Sequence, residues 1–167
     1  DLIKIKKGKF TMSRQDHINK VQELVKDIKF AMMTTRTHEG HLHACPMTTS
    51  EMSIGAKEIW FIGDKTTETV SDIEKDPQVN LAYVSQDAKN YVSINGKAEL
   101  VEDQEKLDEL WSPIYNAFYE QGKEDPNVQL IKVVPHGAEY WLSGSSVVNM
   151  FKMTTAAVMD GKKATNL

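Results

Sequence analysis

Three strand-type segments follow one another with almost no chain between them. Phe30-Ala31-Met32-Met33-Thr34-Thr35-Arg36-Thr37 runs into the turn His38-Glu39-Gly40, returns from His41 to Thr49, and is followed by Lys57-Glu58-Ile59-Trp60-Phe61-Ile62. Strands this close together must pair antiparallel, because a parallel pair needs a crossover of roughly a dozen residues or more. Gly40 can take the positive φ that a tight turn requires. Pro46 has no N–H to give to a ladder, so the second strand is expected to lie at an edge or carry a bulge there.

Two more strands are expected, Val79 to Ser85 and Tyr91 to Val101, joined through Gln86–Asn90. Gly96 stands where a bulge or tight bend turns a barrel corner. Val128 to Val134 and Ala138 to Leu142 complete the sheet. Helices stand before and between these strands. Ile18, Val21, Leu24, Val25 and Ile28 fall at three- and four-residue steps, which predicts a helix over 13–29 with Ser13 as its N-cap. A short helix over about 66–75 should bury Val70 and Ile73 and end at Asp76-Pro77. From Asp103 onward Leu107, Leu110, Trp111, Ile114 and Phe118 share one helical face. Ser112-Pro113 interrupts it, so two helices or one sharp kink are expected. Val147 to Val158 fits a last strand, a helix or an arm across a partner. Grouped strands with flanking helices indicate a mainly β fold, an antiparallel barrel with helices packed outside.

The chain has 167 residues, enough for one domain with a real core, here taken as 13–160 with an extension at 1–12 and a tail at 161–167. Met12-Ser13 looks like a natural start. The formal charge is −4 and no basic stripe appears beyond the N-terminal tail, so nucleic acid is not an expected partner. No apolar run approaches the roughly 20 residues of a membrane span. Cys45 is the only cysteine, which precludes an intrachain disulfide and favours a reducing, cytoplasmic setting.

Few motifs carry chemistry on their own. His41, His43 and Cys45 alternate on one strand face, a spacing compatible with metal ligation, but no second cluster completes a tetrahedral set. His17 and His136 are the only distant candidates, so these read as solvated hairpin histidines and no metal site is expected. Cys45 beside a proline reads as a small packed side chain rather than a nucleophile. G-x-S-x-G, P-loop and G-x-G-x-x-G patterns are absent. The turn Gly63-Asp64-Lys65-Thr66-Thr67-Glu68-Thr69 leaves a strand and opens a helix. Its N–H groups and hydroxyls suit a phosphate, but from local chemistry alone ordinary helix capping by Asp64, Thr66 or Thr67 is the favoured reading.

The order of these pieces resembles a known family. Ala31-Met32-Met33-Thr34-Thr35 with His43-Ala44-Cys45-Pro46-Met47 matches its first hairpin. Ile59-Trp60-Phe61 and Val70-x-x-Ile73-x-x-Asp76-Pro77-x-Val79-Asn80-Leu81 follow in order. Tyr91-Val92-Ser93-Ile94-x-Gly96-x-Ala98, Leu110-Trp111-Ser112-Pro113, Gly122-x-x-Asp125-Pro126 and Ala138-Glu139-Tyr140-Trp141 continue it. The set is similar to the pyridoxamine 5'-phosphate oxidase-like split barrels, specifically the bacterial general stress protein subfamily.

This resemblance implies a six-stranded split barrel, a homodimer, and two FMN sites built from both chains. It places the strand carrying Cys45, Pro46 and Met47 beside the isoalloxazine ring, and Thr48 joins the cofactor-binding candidates. Ile62, Gly63 and the following turn, with Lys65, Thr67 and Thr69, would hold the ribityl phosphate. Trp141 would approach the ring from the late strand, and Trp111 joins the candidate set. The flavin would carry electrons or hydride while the protein positions it.

Three positions depart from the family pattern: Cys45 stands where Arg is usual, Thr69 where Lys is usual, and Leu142 where Asp is frequent. Two lost charge-assisted contacts are worth roughly 3–6 kcal/mol if additive, or about two to four powers of ten in affinity. Arg14 and Arg36 are the only arginines, so the late arginines of a true pyridoxamine phosphate oxidase have no counterpart. The expected function is therefore an FMN-binding flavoprotein, with flavin-dependent oxidoreduction as its enzymatic reading. The alternative is a non-enzymatic dimeric binding or scaffold protein with a degenerate flavin site. A different cofactor in the same cleft, a deazaflavin or haem, is a third option.

Overall fold

The computed structural model describes residues 12–142 and the backbone of residues 149–152. Ser13 opens the first helix, α1 (Arg14–Ile28), with a capping box. The Asp16 N–H donates to Ser13 Oγ at 3.1 Å, and the Ser13 N–H donates to the Asp16 carboxylate at 2.8 Å. Ile18, Val21, Leu24 and Val25 bury its apolar stripe in the main core.

Six strands then build the barrel: β1 (Phe30–Arg36), β2 (Leu42–Ser53), β3 (Glu58–Asp64), β4 (Gln78–Val84), β5 (Asn90–Val101) and β6 (Val128–Leu142). Their spatial order is β3-β2-β1-β4-β5-β6, every pair antiparallel, and β6 returns to pair with β3 and close the ring. Alternation sends Ala31, Met33 and Thr35, Leu81 and Tyr83, and Val92 and Ile94 inward, while Phe30, Met32, Val84 and Tyr91 face out. A short helix, α2 (Glu68–Lys75), buries Val70 and Ile73 as expected.

The strand expected to stop at Val134 runs on through Pro135, His136 and Gly137 as one piece. A bulge absorbs the interruption: Asn95 faces Gly137 and Gly96 faces Pro135, which leaves His136 unpaired. Gly96 is the residue that permits it. A Cβ there would lie 2.7 Å from both Val133 Cγ1 and the Val134 carbonyl oxygen. Seven strands are present among the described residues, because β7 (Asn149–Lys152) pairs with Gly137–Tyr140 of β6. The strand reading therefore holds for part of the 147–158 segment. The rest of 143–160, the N-terminal extension up to residue 11 and the tail at 161–167 lie outside the described residues.

The break at Ser112-Pro113 is present, but the shared face drawn through it is not. The helix α3 (Gln104–Leu110) ends at Trp111, and a 3-10 turn over Pro113–Ala117 starts a new phase. Leu107 is buried, whereas Ile114 is 68% exposed and Phe118 74% exposed. Tyr119 takes the buried place instead, in a second apolar cluster with Trp60, Ile62, Leu107, Val128 and Leu130. No helix among the described residues is long and apolar enough to cross a membrane.

The substitution Gly96→Ala is expected to destabilise the barrel by about 1–3 kcal/mol, because its methyl group meets backbone that cannot move cheaply. A urea titration reads this as a lower midpoint at unchanged slope. An unaltered midpoint would mean the bulge relaxes freely.

Candidate functional site

The barrel is closed through β6 yet split at β2. β1 pairs with β2 from Leu42 to Thr48, whereas β3 pairs with it only from Thr49 to Ser53. A register shift between Thr49 and Glu51 separates the two regimes. From Leu42 to Thr48, one edge of β2 therefore has no strand partner among the described residues. Pro46 lies within that local edge, where a missing N–H is tolerated.

A cleft of about 320 Å³ occupies the gap. β2 contributes His43, Cys45, Pro46 and Met47, and the end of β3 contributes Gly63 and Asp64. The start of α2 and Ile131 of β6 line the rest. Gly63 keeps the floor open, since a Cβ there would sit 2.9 Å from Ile131 Cδ1 and 3.6 Å from Met47 Cε.

Of the residues singled out in the sequence, Cys45, Pro46, Met47, Gly63, Thr67 and Thr69 come together here. Five do not line this cleft. Thr48 is exposed on β2 opposite Phe30. Ile62 points into the second apolar cluster. The Lys65 ammonium pairs with Glu102 at 3.2 Å. Trp111 packs against Tyr115 and Tyr119, with ring centroids 5.4 and 5.8 Å away. Trp141 faces Tyr91 across the β5–β6 ladder.

Capping accounts for much of the turn. Asp64 Oδ1 accepts from the Thr66 N–H at 2.7 Å and from its hydroxyl at 2.6 Å. The Thr67 hydroxyl donates to the Asp64 carbonyl at 2.7 Å and accepts from the Val70 N–H at 3.4 Å. Cys45 Sγ and Thr69 Oγ1 lie 3.0 Å apart in a hydrogen bond. The two positions where the resemblance calls for Arg and Lys thus touch one another. Among the described residues no Lys or Arg lines the cleft, while Asp64 and Glu68 do.

Beside Cys45 lies a group that sequence reading did not assemble. The Thr35 hydroxyl donates to Asp72 Oδ2 at 2.7 Å beneath α2. His43 Nδ1 stands 3.9 Å from that oxygen, and His43 Nε2 stands 4.0 Å from Glu68 Oε2. The available signal was the four-residue step from Glu68 to Asp72, which puts both carboxylates on one helix face. Nothing local tied that face to His43, which had been weighed with His41 and Cys45. In the fold, His41 is exposed on the hairpin, away from the cleft lining.

Tyr119 anchors the strand end. Its hydroxyl donates to the Gly63 carbonyl at 2.6 Å. Burial, with the nearby Asp64 charge second, pushes that hydroxyl up to about 12.

Comparison with known proteins places these features in company. The profile described as "Pyridoxamine 5'-phosphate oxidase like" matches residues 16–164. Protein bli-3 of Neurospora crassa is 26% identical over 157 residues, which span 89% of this chain and 75% of that protein. General stress protein 26 of Bacillus subtilis is 27% identical, covering 74% of this chain and 87% of that protein. The crystal structure of the general stress FMN/FAD binding protein from Xanthomonas citri superposes with a TM-score of 0.68 at 28% identity. It covers 84% of this chain and 98% of its own.

Loss of the Tyr119 hydrogen bond in Tyr119→Phe is expected to cost about 1–2 kcal/mol in a denaturant titration. Above pH 10 the unfolded tyrosine releases its proton while the folded one keeps it to about 12. The native protein should accordingly lose stability as pH rises through that window. Tyr119→Phe should lose less over the same range.

Proposed function

The chain belongs to the pyridoxamine 5'-phosphate oxidase-like family, and on that premise we propose that it is an FMN-binding flavoprotein of the general stress type, working as a homodimer. The observation that carries this reading is the cleft along the unpaired edge of β2. An edge of free backbone N–H and C=O groups suits the polar rim of a planar heterocycle, and the start of α2 suits an anionic tail. The Gly63 floor gives the space that a side chain would fill. A reducing, cytoplasmic setting is compatible with the free thiol of Cys45.

Two features support a second copy as part of the site. The cleft of about 320 Å³ is at the small end of the roughly 300–1,000 Å³ usual for ligand pockets. The outer sheet face beside it is apolar: Phe30 and Met32 on β1, Val84 on β4 and Tyr91 on β5 are all exposed. Val84 pairs with Tyr91, Tyr91 with Trp141, and Met32 with Pro46, so this face runs up to the lip of the cleft. A copy laid on it would cover the apolar row and roof the cleft in one step.

When bound, the flavin supplies electron or hydride chemistry. The chain's own part is placement. Cys45, Pro46 and Met47 orient the ring, Thr67 and Thr69 meet the phosphate, and the apolar floor of Met47 and Ile131 excludes water. The donor set fits the ring better than the phosphate, because the described lining has Asp64 and Glu68 without a Lys or Arg. That same observation favours a second reading, a non-enzymatic dimeric binding protein whose flavin site has degenerated.

Fluorescence titration with FMN and with riboflavin separates the two. Saturable quenching by FMN supports the flavoprotein reading, and flat titrations with a dimeric elution volume support the degenerate site. The double variant Cys45→Arg, Thr69→Lys is expected to tighten FMN by about two to four powers of ten. Riboflavin, which has no phosphate, should gain far less. A monomeric chain that ignores both ligands sinks both readings.

A further inference from the structure

Asp72 is a carboxylate at 0% exposure whose only hydrogen bond among the described residues is the one from the Thr35 hydroxyl. Its second oxygen, Oδ1, has no partner. His43 Nδ1 is likewise buried without a hydrogen bond, and at 3.9 Å from Asp72 Oδ2 it is too far to make one. Buried polar atoms are nearly always satisfied, and a buried carboxylate needs a compensating charge. Two orphaned atoms on neighbouring side chains therefore describe a place prepared for something positive. Glu68 adds a third ligand atom, and the three lie within 4.8 Å of one another.

We propose that His43, Glu68 and Asp72 form a binding site for one divalent transition-metal cation, with Zn²⁺ as the reference ion, at the mouth of the β2–α2 cleft. One imidazole and two carboxylates make a donor set suited to zinc, and three protein ligands leave one position open. His43 and Glu68 both line the cleft, so a cation held by them would lie beside it. Ligand atoms at zinc bond lengths of 2.0–2.1 Å stand roughly 3.3 Å apart, so the set must close by about 1 Å. Exposed Glu68 has room to swing inward, while Asp72 is held by Thr35, an outer hydrogen bond of the kind that orients a metal ligand. Bound there, the cation supplies the positive charge that the lining otherwise lacks, against Asp64 and Glu68. Metal binding stands apart from flavin binding, since it uses residues already in place in a single chain.

The test uses the full chain, stripped with a chelator and titrated calorimetrically with ZnCl₂ in the absence of flavin. Zinc retained after gel filtration is counted by atomic absorption. One zinc per chain is expected. His43→Gln, Asp72→Asn and the outer variant Thr35→Val should each weaken binding by about ten-fold or more. His38→Gln and His41→Gln should leave it unchanged. Should Asp72→Asn fail to fold by circular dichroism, Glu68→Gln at its exposed position decides. Absence of stoichiometric zinc would overturn the site, and so would zinc that follows His38 and His41. In that case His43 and Asp72 are no more than a local ion pair. Zinc uptake by a chain that ignores FMN would sink the flavin reading alone.

Discussion

Closure of the barrel through β3 and β6, while β2 lets go of β3, is the constraint from which the rest follows. Six residue pairs from Ile59–Val133 to Asp64–Val128 hold the ring shut. With that seam in place, β2 can leave β3 at the shift near Thr49 and Glu51 without opening the core. Ile59 and Phe61 still meet Ile131 and Val133 inside. The free edge of β2, the cleft and the acidic group beside it all exist because one seam carries the closure for two.

Legibility in the sequence tracked how local each cause was. The three- and four-residue steps from Ile18 to Val25 located α1, and Ser13 marked its start, because both signals lie within a few turns of one helix. Pro46 and Gly96 announced a local edge and a bulge through their backbone chemistry alone. The face drawn from Leu107 to Phe118 failed because the extended backbone at Trp111 and Ser112 resets the helical phase, which periodicity counting cannot register. Pro135 and Gly137 read as a strand break, but the bulge opposite Gly96 accommodates them. That accommodation depends on a partner strand some forty residues away.

The site divides along the same line. Family likeness and the strand-to-helix turn pointed to Cys45 through Met47, Gly63, Thr67 and Thr69, which the fold gathers at one cleft. The company they keep was not legible. Cys45 and Thr69, 24 residues apart in sequence, meet in one neutral hydrogen bond at the cleft wall. His43, Glu68 and Asp72 come from a strand and a helix that meet only through the α2 crossing, so neither segment alone discloses the group.

Hairpins join β1 to β2, β2 to β3 and β4 to β5, a helical stretch separates β5 from β6, and β1 meets β4 across two strands and α2. The seam between β3 and β6 instead waits until residues 58–64 meet residues 128–133. Contacts so distant in sequence must carry the entropy of closing a long loop before they return any stability. Until that moment β3 presents an unpaired flank of Ile59, Phe61 and their neighbours to solvent. The window of greatest exposure to self-association is therefore the interval before β6 arrives, set by chain topology rather than by any single residue.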